Sequence, residues 1–259
     1  MKTRMHWFGG LLCAALVSPA SAGVIDDFEG FAENAFLVTG STPWEFGAIN
    51  PGSPAINVID DGTGTGNQVA EIQNGPGTFF LTSSEATFAD AGTVTVEFDF
   101  ATDIGDGATD VSLGIGFVGT QANSAVNAGD IVAGVRIEST GAGGGTIDAR
   151  SAFGPFVDTT GTWSVETAHS ITLVLDLDAN NFDVFLDDVS IAADVAFVSG
   201  FDSTGLDSFI VRPNSANGDG TSSSGQTFFL DNITAVPEPG SMALLVAGAG
   251  LVALRRRSN

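Results

Sequence analysis

Between residues 24 and 235 the apolar positions recur with period two, not with the 3.6 of a helix. "TVTVEFDF" puts Val94, Val96, Phe98 and Phe100 on one face and Thr95, Glu97 and Asp99 on the other, which predicts a half-buried strand. "ITLVLDLD" repeats the scheme with Ile171, Leu173, Leu175 and Leu177 inward. "VSLGIGFV", "IVAGVRIE", "FDVFLDD", "SFIVR" and "TFFLDNI" are further strand candidates, and no stretch of comparable length has an amphipathic helical pattern. The runs between them, "DDGTGTGN", "GDGATD", "GAGGGT", "DANN" and "NGDGTSSSG", are rich in residues that tolerate turns and positive φ. "LVLDLDANNFDVFLDD" predicts two long strands joined by a tight turn at Ala179 and Asn180. Many strands with no helices between them predict an all-β domain, a sandwich of two antiparallel sheets, over residues 23–235.

The two ends break this pattern. Residues 1–22 have the form of a secretory signal peptide: basic Lys2 and Arg4, an apolar run from Trp7 to Val17, then "SPASA" with Ala20 and Ala22 placed for cleavage. Cys13, the one cysteine, falls in that segment, so the mature chain has no disulfide and depends on its core, or on a metal. At the other end Met242–Leu254 is apolar and Arg255, Arg256 and Arg257 follow at once. Thirteen residues fall short of the roughly 20 that span a bilayer unaided, which suits a temporary transmembrane hold with the arginines kept inside.

Charge sharpens the contrast. Five of the 8 basic residues lie in these terminal segments, which leaves Arg136, Arg150 and Arg212 against thirty acids in the body. So acidic a surface repels phosphate backbones and anionic lipid, which excludes nucleic-acid binding. With 20 Phe in the chain the body nevertheless has the hydrophobicity to fold.

"VPEPGSMALLVAGAGLVALRRR" resembles a PEP-CTERM sorting segment: Pro237-Glu238-Pro239, a small-residue apolar helix, then the arginine cluster. The resemblance covers residues 236–259 and implies processing by an exosortase, a membrane-embedded protease or transpeptidase of Gram-negative bacteria that make exopolysaccharide. It further implies cleavage near the motif, after transient inner-membrane anchoring, and release or attachment at the cell surface. More loosely, the long hairpin is similar to one in concanavalin-like and laminin-G-like jelly rolls. "VIDDFEGF" and "TFFLDNI" likewise resemble the first and last strands of jelly-roll carbohydrate-binding modules. Those modules imply a structural Ca²⁺ tying first strand to last, which here would fall on Glu29 and Asp231 with Asp27 nearby. Oxygen ligands suit that ion, and the alternative is that these acids only face solvent at strand ends.

Other candidates are weaker. Trp44 and Trp163 stand in polar, turn-rich surroundings where a ring could face a sugar, although tryptophan is more often core. Asp103, Asp106 and Asp110 lack the spacing of an EF-hand loop. His169 is the sole histidine of the mature chain, a turn or edge residue at a strand start. Glu97 and Asp99 could begin a glycosidase carboxylate motif but lack its second glutamate. The expectation is a non-catalytic, exported surface or matrix protein with a structural, adhesive or carbohydrate-binding role in biofilm exopolysaccharide. Its rival is a matrix polysaccharide glycosidase or lyase.

Overall fold

The computed structural model describes residues 23–32, 44–48, 56–62, 64–73, 79–83, 92–104, 111–118, 131–140, 143–150, 156–198, 208–215 and 226–237. The signal segment, Glu238, Pro239, the apolar run and the terminal arginines lie outside them. All the regular structure among the described residues is β. The strands are β1 (Gly23–Asp26), β2 (Trp44–Ala48), β3 (Ile56–Asp60), β4 (Gln68–Gln73), β5 (Phe79–Ser83), β6 (Thr93–Ile104), β7 (Val111–Val118), β8 (Ile131–Ser139), β9 (Gly144–Arg150), β10 (Phe156–Ser164), β11 (His169–Asp176), β12 (Asn181–Leu186), β13 (Val189–Ala196), β14 (Ser208–Ser215) and β15 (Gln226–Pro237).

They form two antiparallel sheets of one compact unit, Ala22–Glu238. Sheet A runs β13-β12-β11-β6-β15-β4-β3, with β1 also on β15; sheet B runs β10-β9-β8-β7-β14-β5-β2. The inward rows read from the sequence are the core: Val94, Val96 and Phe98 are fully buried, Phe100 is buried, and so are Ile171, Leu173, Leu175 and Leu177. Sheet B answers with Leu113, Ile115, Phe117, Val135, Ile137, Phe209 and Val211. The sheets meet through edge-on aromatic contacts, Phe98 with Phe209 at 6.1 Å and Phe100 with Trp163 at 6.1 Å between ring centres.

Two local readings change. The hairpin between β11 and β12 pairs Asp176 with Asn181, so its turn has four residues, 177–180, rather than two. The Asp176 carboxylate fixes it by accepting the Asp178 and Ala179 N–H groups at 3.0 and 2.8 Å. In "GAGGGT", expected to be a loop, Gly144 and Gly145 begin β9. A Cβ on Gly145 would stand 2.7 Å from the Trp163 ring and closer still to the Glu138 carbonyl, so glycine here marks close packing, not a turn.

Candidate functional site

β15 is central to sheet A, and its second edge is shared. β6 lies along one side for most of its length; on the other, β4 pairs with Thr227–Leu230 and β1 with residues 233–235. At the changeover the register slips between Asp231 and Thr234, and Asn232 takes a left-handed backbone (φ 52°), a conformation asparagine tolerates. The slip lets Asp231 and Ile233 face opposite sides within three residues, and it gathers polar side chains at the gap. Asn67 Nδ2 donates to Asp231 Oδ2 at 3.0 Å, Asn232 N to Asp231 Oδ1 at 2.8 Å, and Asn232 Nδ2 to Asp99 Oδ2 at 2.9 Å. Next to Asn67, the Gln68 N–H donates to Glu29 Oε1 at 2.7 Å.

Glu29 and Asp231, the two acids expected to tie first strand to last, are thus both tied to consecutive residues at the start of β4. Asp27 takes a local role, its carboxylate accepting the Glu29 N–H at 3.2 Å. Sequence reasoning did not single out Asn67 or Gln68; the signal was the "GN" that ends a glycine-rich loop, the position where a side-chain amide closes a turn. Burial pushes the Asp231 carboxyl above the ordinary value, and the charges of Asp99 and Glu29 push the same way. The hydrogen bonds from Asn67 and Asn232 pull against this without reversing it. Among the described residues no three His, Cys, Asp or Glu side chains converge as a metal-holding group, while Gln68 Oε1 is buried with no hydrogen-bond partner.

Beside this gap, on the side of sheet A turned away from the core, lies a cleft of about 610 Å³. Its apolar floor is Ile59, Val69, Ala101 and Phe229, the outward members of four adjacent strands. Asp60, Asp61, Asp99, Glu166 and Asp231 line it together with Asn67, and among the described residues no Lys or Arg does. The end of β3 and the loop after it supply the first two acids, held by a Gly62 N–H to Asp60 bond of 2.8 Å and an Asp61 N–H to Asn67 carbonyl bond of 2.9 Å. An apolar floor with a few convergent polar groups is the usual make-up of a small-ligand site.

The tryptophan expectation divides. Trp163 is 4% exposed, its indole N–H donates to the Thr146 carbonyl at 3.2 Å, and its ring stands against Phe100. It is a core residue and presents no ring to a ligand, because alternation along β10 turns it inward with Gly161. Trp44 lies in β2, opposite Ser83, and its side chain is outside the described residues. Of the loop acids, Asp106 and Asp110 are likewise outside, and Asp103 is known by its backbone pairing with Thr227.

His169 opens β11, an inner strand of sheet A, so it is not an edge residue. The Ser164 N–H donates to its Nε2 at 3.2 Å, so Nδ1 carries the proton toward Asp187 Oδ2, 2.7 Å away. The ring stacks on Phe100. Burial raises the Asp187 carboxyl, but the His169 bond, the Ser170 N–H and the His169 charge together hold it below the ordinary value. Both ring nitrogens are engaged structurally. Glu97 accepts from Ser170 Oγ at 3.3 Å.

Sheet B has a polar cluster of a different kind, on the side away from the core. Arg136 donates through Nε (3.0 Å) and Nη2 (2.5 Å) to Asp148 Oδ2 and also pairs with Glu138. Arg150 donates to the Ile131 carbonyl at 3.0 Å. Both guanidinium groups lie over the Phe156 ring, 5.2 and 5.3 Å from its centre.

The sandwich is similar to several solved structures. One titled "Sialidase" superimposes with a TM-score of 0.53 at 11% identity over 85% of this chain, which spans 19% of the sialidase chain. The cellulose induced protein Cip1 gives 0.50 at 14% identity, covering 82% of this chain and 95% of that one. The carbohydrate recognition domain of Emp46p gives 0.50 at 11%, covering 82% and 95%. At such identities the likeness shows the fold, a two-sheet β-sandwich of jelly-roll type. No curated protein matches the chain in sequence. Residues 235–257 match the PEP-CTERM protein-sorting motif, so this is an exported protein that carries an exosortase sorting segment for the cell surface.

Proposed function

We propose that the processed body binds polysaccharide, without catalysis, at the surface or in the exopolysaccharide matrix of a Gram-negative cell. The observation that carries this is the sheet A cleft: a partly exposed Phe229 in an apolar floor offers a sugar ring a flat face, and the carboxylates and Asn67 offer hydroxyl groups hydrogen-bond partners. A rim that carries five acids and no cation among the described residues favours neutral or amine-bearing saccharides over uronic acids, which it would repel. A structural Ca²⁺ belongs to the same reading. Glu29 and Asp231, with Asp27 nearby, are the hard oxygens that would hold it, and an ion there would relieve the charge crowding at Asp231.

The test is retention of the processed protein on a panel of neutral, amino and acidic polysaccharides, with Ca²⁺ and with a chelator, while the melting temperature is followed in parallel. Binding that Phe229→Ala reduces about tenfold or more, with melting unchanged, is the expected result, taking as the scale the roughly 1–3 kcal/mol that a nucleobase gains by stacking on an aromatic side chain. No retention on any polysaccharide removes the reading. Hydrolysis of the producing cell's own polymer, abolished by Glu97→Gln, would replace it with the glycosidase alternative. An unchanged melting temperature with Ca²⁺ removes the metal.

A further inference from the structure

His169 ties one sheet to the other. It opens β11 in sheet A, and its Nε2 accepts the Ser164 N–H, at 3.2 Å, from the end of β10 in sheet B. A backbone N–H can only donate, so this bond uses the Nε2 lone pair and exists only while the ring is neutral. On the other side of the ring Nδ1 faces Asp187 Oδ2 at 2.7 Å, a carboxylate that bonds an imidazolium more strongly than a neutral ring. One partner therefore excludes a second proton and the other welcomes it. Among the described residues the charged groups around the ring are all acids. Asp187 and Asp188 stand in the β12–β13 turn, Glu166 in the turn between β10 and β11, and Glu97 and Asp99 on β6, where they accept from Ser170 and Asn232. No Lys or Arg lies in β6, β10, β11, β12 or either turn.

The bond from Ser164 closes the turn of residues 165–168, which joins the two sheets. Within it the Val165 N–H donates to the Gly143 carbonyl and the Glu166 N–H to the Thr102 carbonyl, both at 3.1 Å. Glu166 takes a left-handed backbone there (φ 56°), and together with Ala168 it lines the sheet A cleft. A glutamate keeps that strained conformation only while its surroundings hold it. The ring of His169 thus sits under one wall of the cleft.

We propose that His169 is a pH-operated latch on the cleft: the neutral ring holds the 164–168 turn and its Glu166 in place, and on taking up a proton it lets the turn go and weakens saccharide binding. This rests on the reading of the cleft as the saccharide site. His169 is the one histidine outside residues 1–22, and no cysteine lies there, so in the processed protein it is the side chain whose ordinary range of titration falls between about pH 5 and 8. After protonation Nε2 carries a hydrogen of its own and faces the Ser164 N–H donor to donor. The contact with Asp187 strengthens at the same time, so the ring stays with Asp187 and the Ser164 side gives way.

NMR titration of the processed protein between about pH 8 and 5 tests the latch with no ligand present. The Ser164 and Glu166 amide signals should shift with the same midpoint as the His169 ring protons. A Ser164 amide that stays still while the ring titrates, or a ring that takes up no proton in this range, overturns the proposal. Retention on the polysaccharide panel, followed side by side for the wild type and for His169→Gln, gives the second reading. Gln offers an uncharged acceptor in place of the ring, so over the same range wild-type binding should weaken roughly two- to tenfold more than the variant's, the scale of one lost hydrogen bond. The same pH dependence in both proteins overturns the proposal. No retention at any pH removes the saccharide reading and the proposal with it, and the ligand-free titration shows whether the latch itself had failed.

Discussion

On sheet B the carboxylate of Asp148, 1% exposed, is held by the Arg136 guanidinium, with Arg150 stacked nearby on Phe156. On sheet A the carboxylate of Asp231, 8% exposed, meets only neutral donors, Asn67 and Asn232, and has Asp99 directly across the ladder. Two of the body's three arginines are spent on the first carboxylate's surroundings. The third, Arg212, falls in the same cross-strand row through Gly114 and Arg136. In a body so short of cations, placing all three on strands of sheet B leaves the opposite sheet to manage its acids without any. Sheet B is internally compensated; the sheet A cleft is electrostatically incomplete, which is the condition under which an external ligand or ion gains most by binding.

Breaking the compensated side should have the largest effect on stability. Arg136→Ala leaves the Asp148 carboxylate buried with one oxygen already unpartnered and the other stripped of its cation. Losing one partner of a buried pair costs about 3–5 kcal/mol, and Arg136 is a quarter exposed, so about 3 kcal/mol is expected in urea unfolding. Arg136→Met with Asp148→Leu, which removes both charges, should recover much of the loss. If Arg136→Ala costs less than about 1 kcal/mol, the contrast between the sheets is one of appearance only.

How much of this contrast could be read from the chain depends on how local its cause is. The strand rows in β6 and β11 were legible because alternation is a property of neighbouring residues, and each inward member named from the pattern is buried. Glu29 and Asp231 could be named from the sequence as candidate metal ligands, but not the residues that each one bonds, Gln68 and Asn67. Asn67 reaches Asp231 across 164 positions of sequence, and nothing local to "TGN" points there. Trp163 shows the opposite failure. Its polar neighbours suggest exposure, yet in a strand those neighbours occupy the other face, and the glycines of β9 that make room for the ring have the composition of a loop. The Arg136–Asp148 pair was equally hidden, since register between β8 and β9 aligns the two, and register is set by the whole sheet.

On the uncompensated side the same kind of change should act in reverse. Asp231→Asn keeps the shape and the acceptor toward Asn67 while removing a charge directly opposite Asp99. Like charges facing each other across a ladder cost roughly 0.2–1 kcal/mol, so at neutral pH the variant should be more stable by about that much. The gain has a defined pH window. Burial, with Asp99 and Glu29, raises the folded carboxyl above its unfolded value near 3.8, so the wild-type penalty exists above the raised value and is relieved as pH falls through it. Denaturation of both proteins across that range should show the curves converging on the acid side; a variant less stable at neutral pH would mean the carboxylate is already compensated.

The smallest effect should come from Asp187, the acid of sheet A that does have a partner with a proton to give. Burial raises its carboxyl, but His169 and the Ser170 N–H outweigh that and hold it below the ordinary 3.8. A lowered folded value contributes stability that is full above the unfolded value and is lost as pH falls through the folded one, the opposite slope to Asp231. Asp187 is half exposed, so solvent screening limits the contribution to roughly 0.2–1 kcal/mol. Asp187→Asn should therefore lower stability slightly at neutral pH and flatten the acid limb of the wild-type curve. Asp231→Asn steepens that limb. If both substitutions shift the limb the same way, the partner's charge does not decide what a carboxylate does on this sheet.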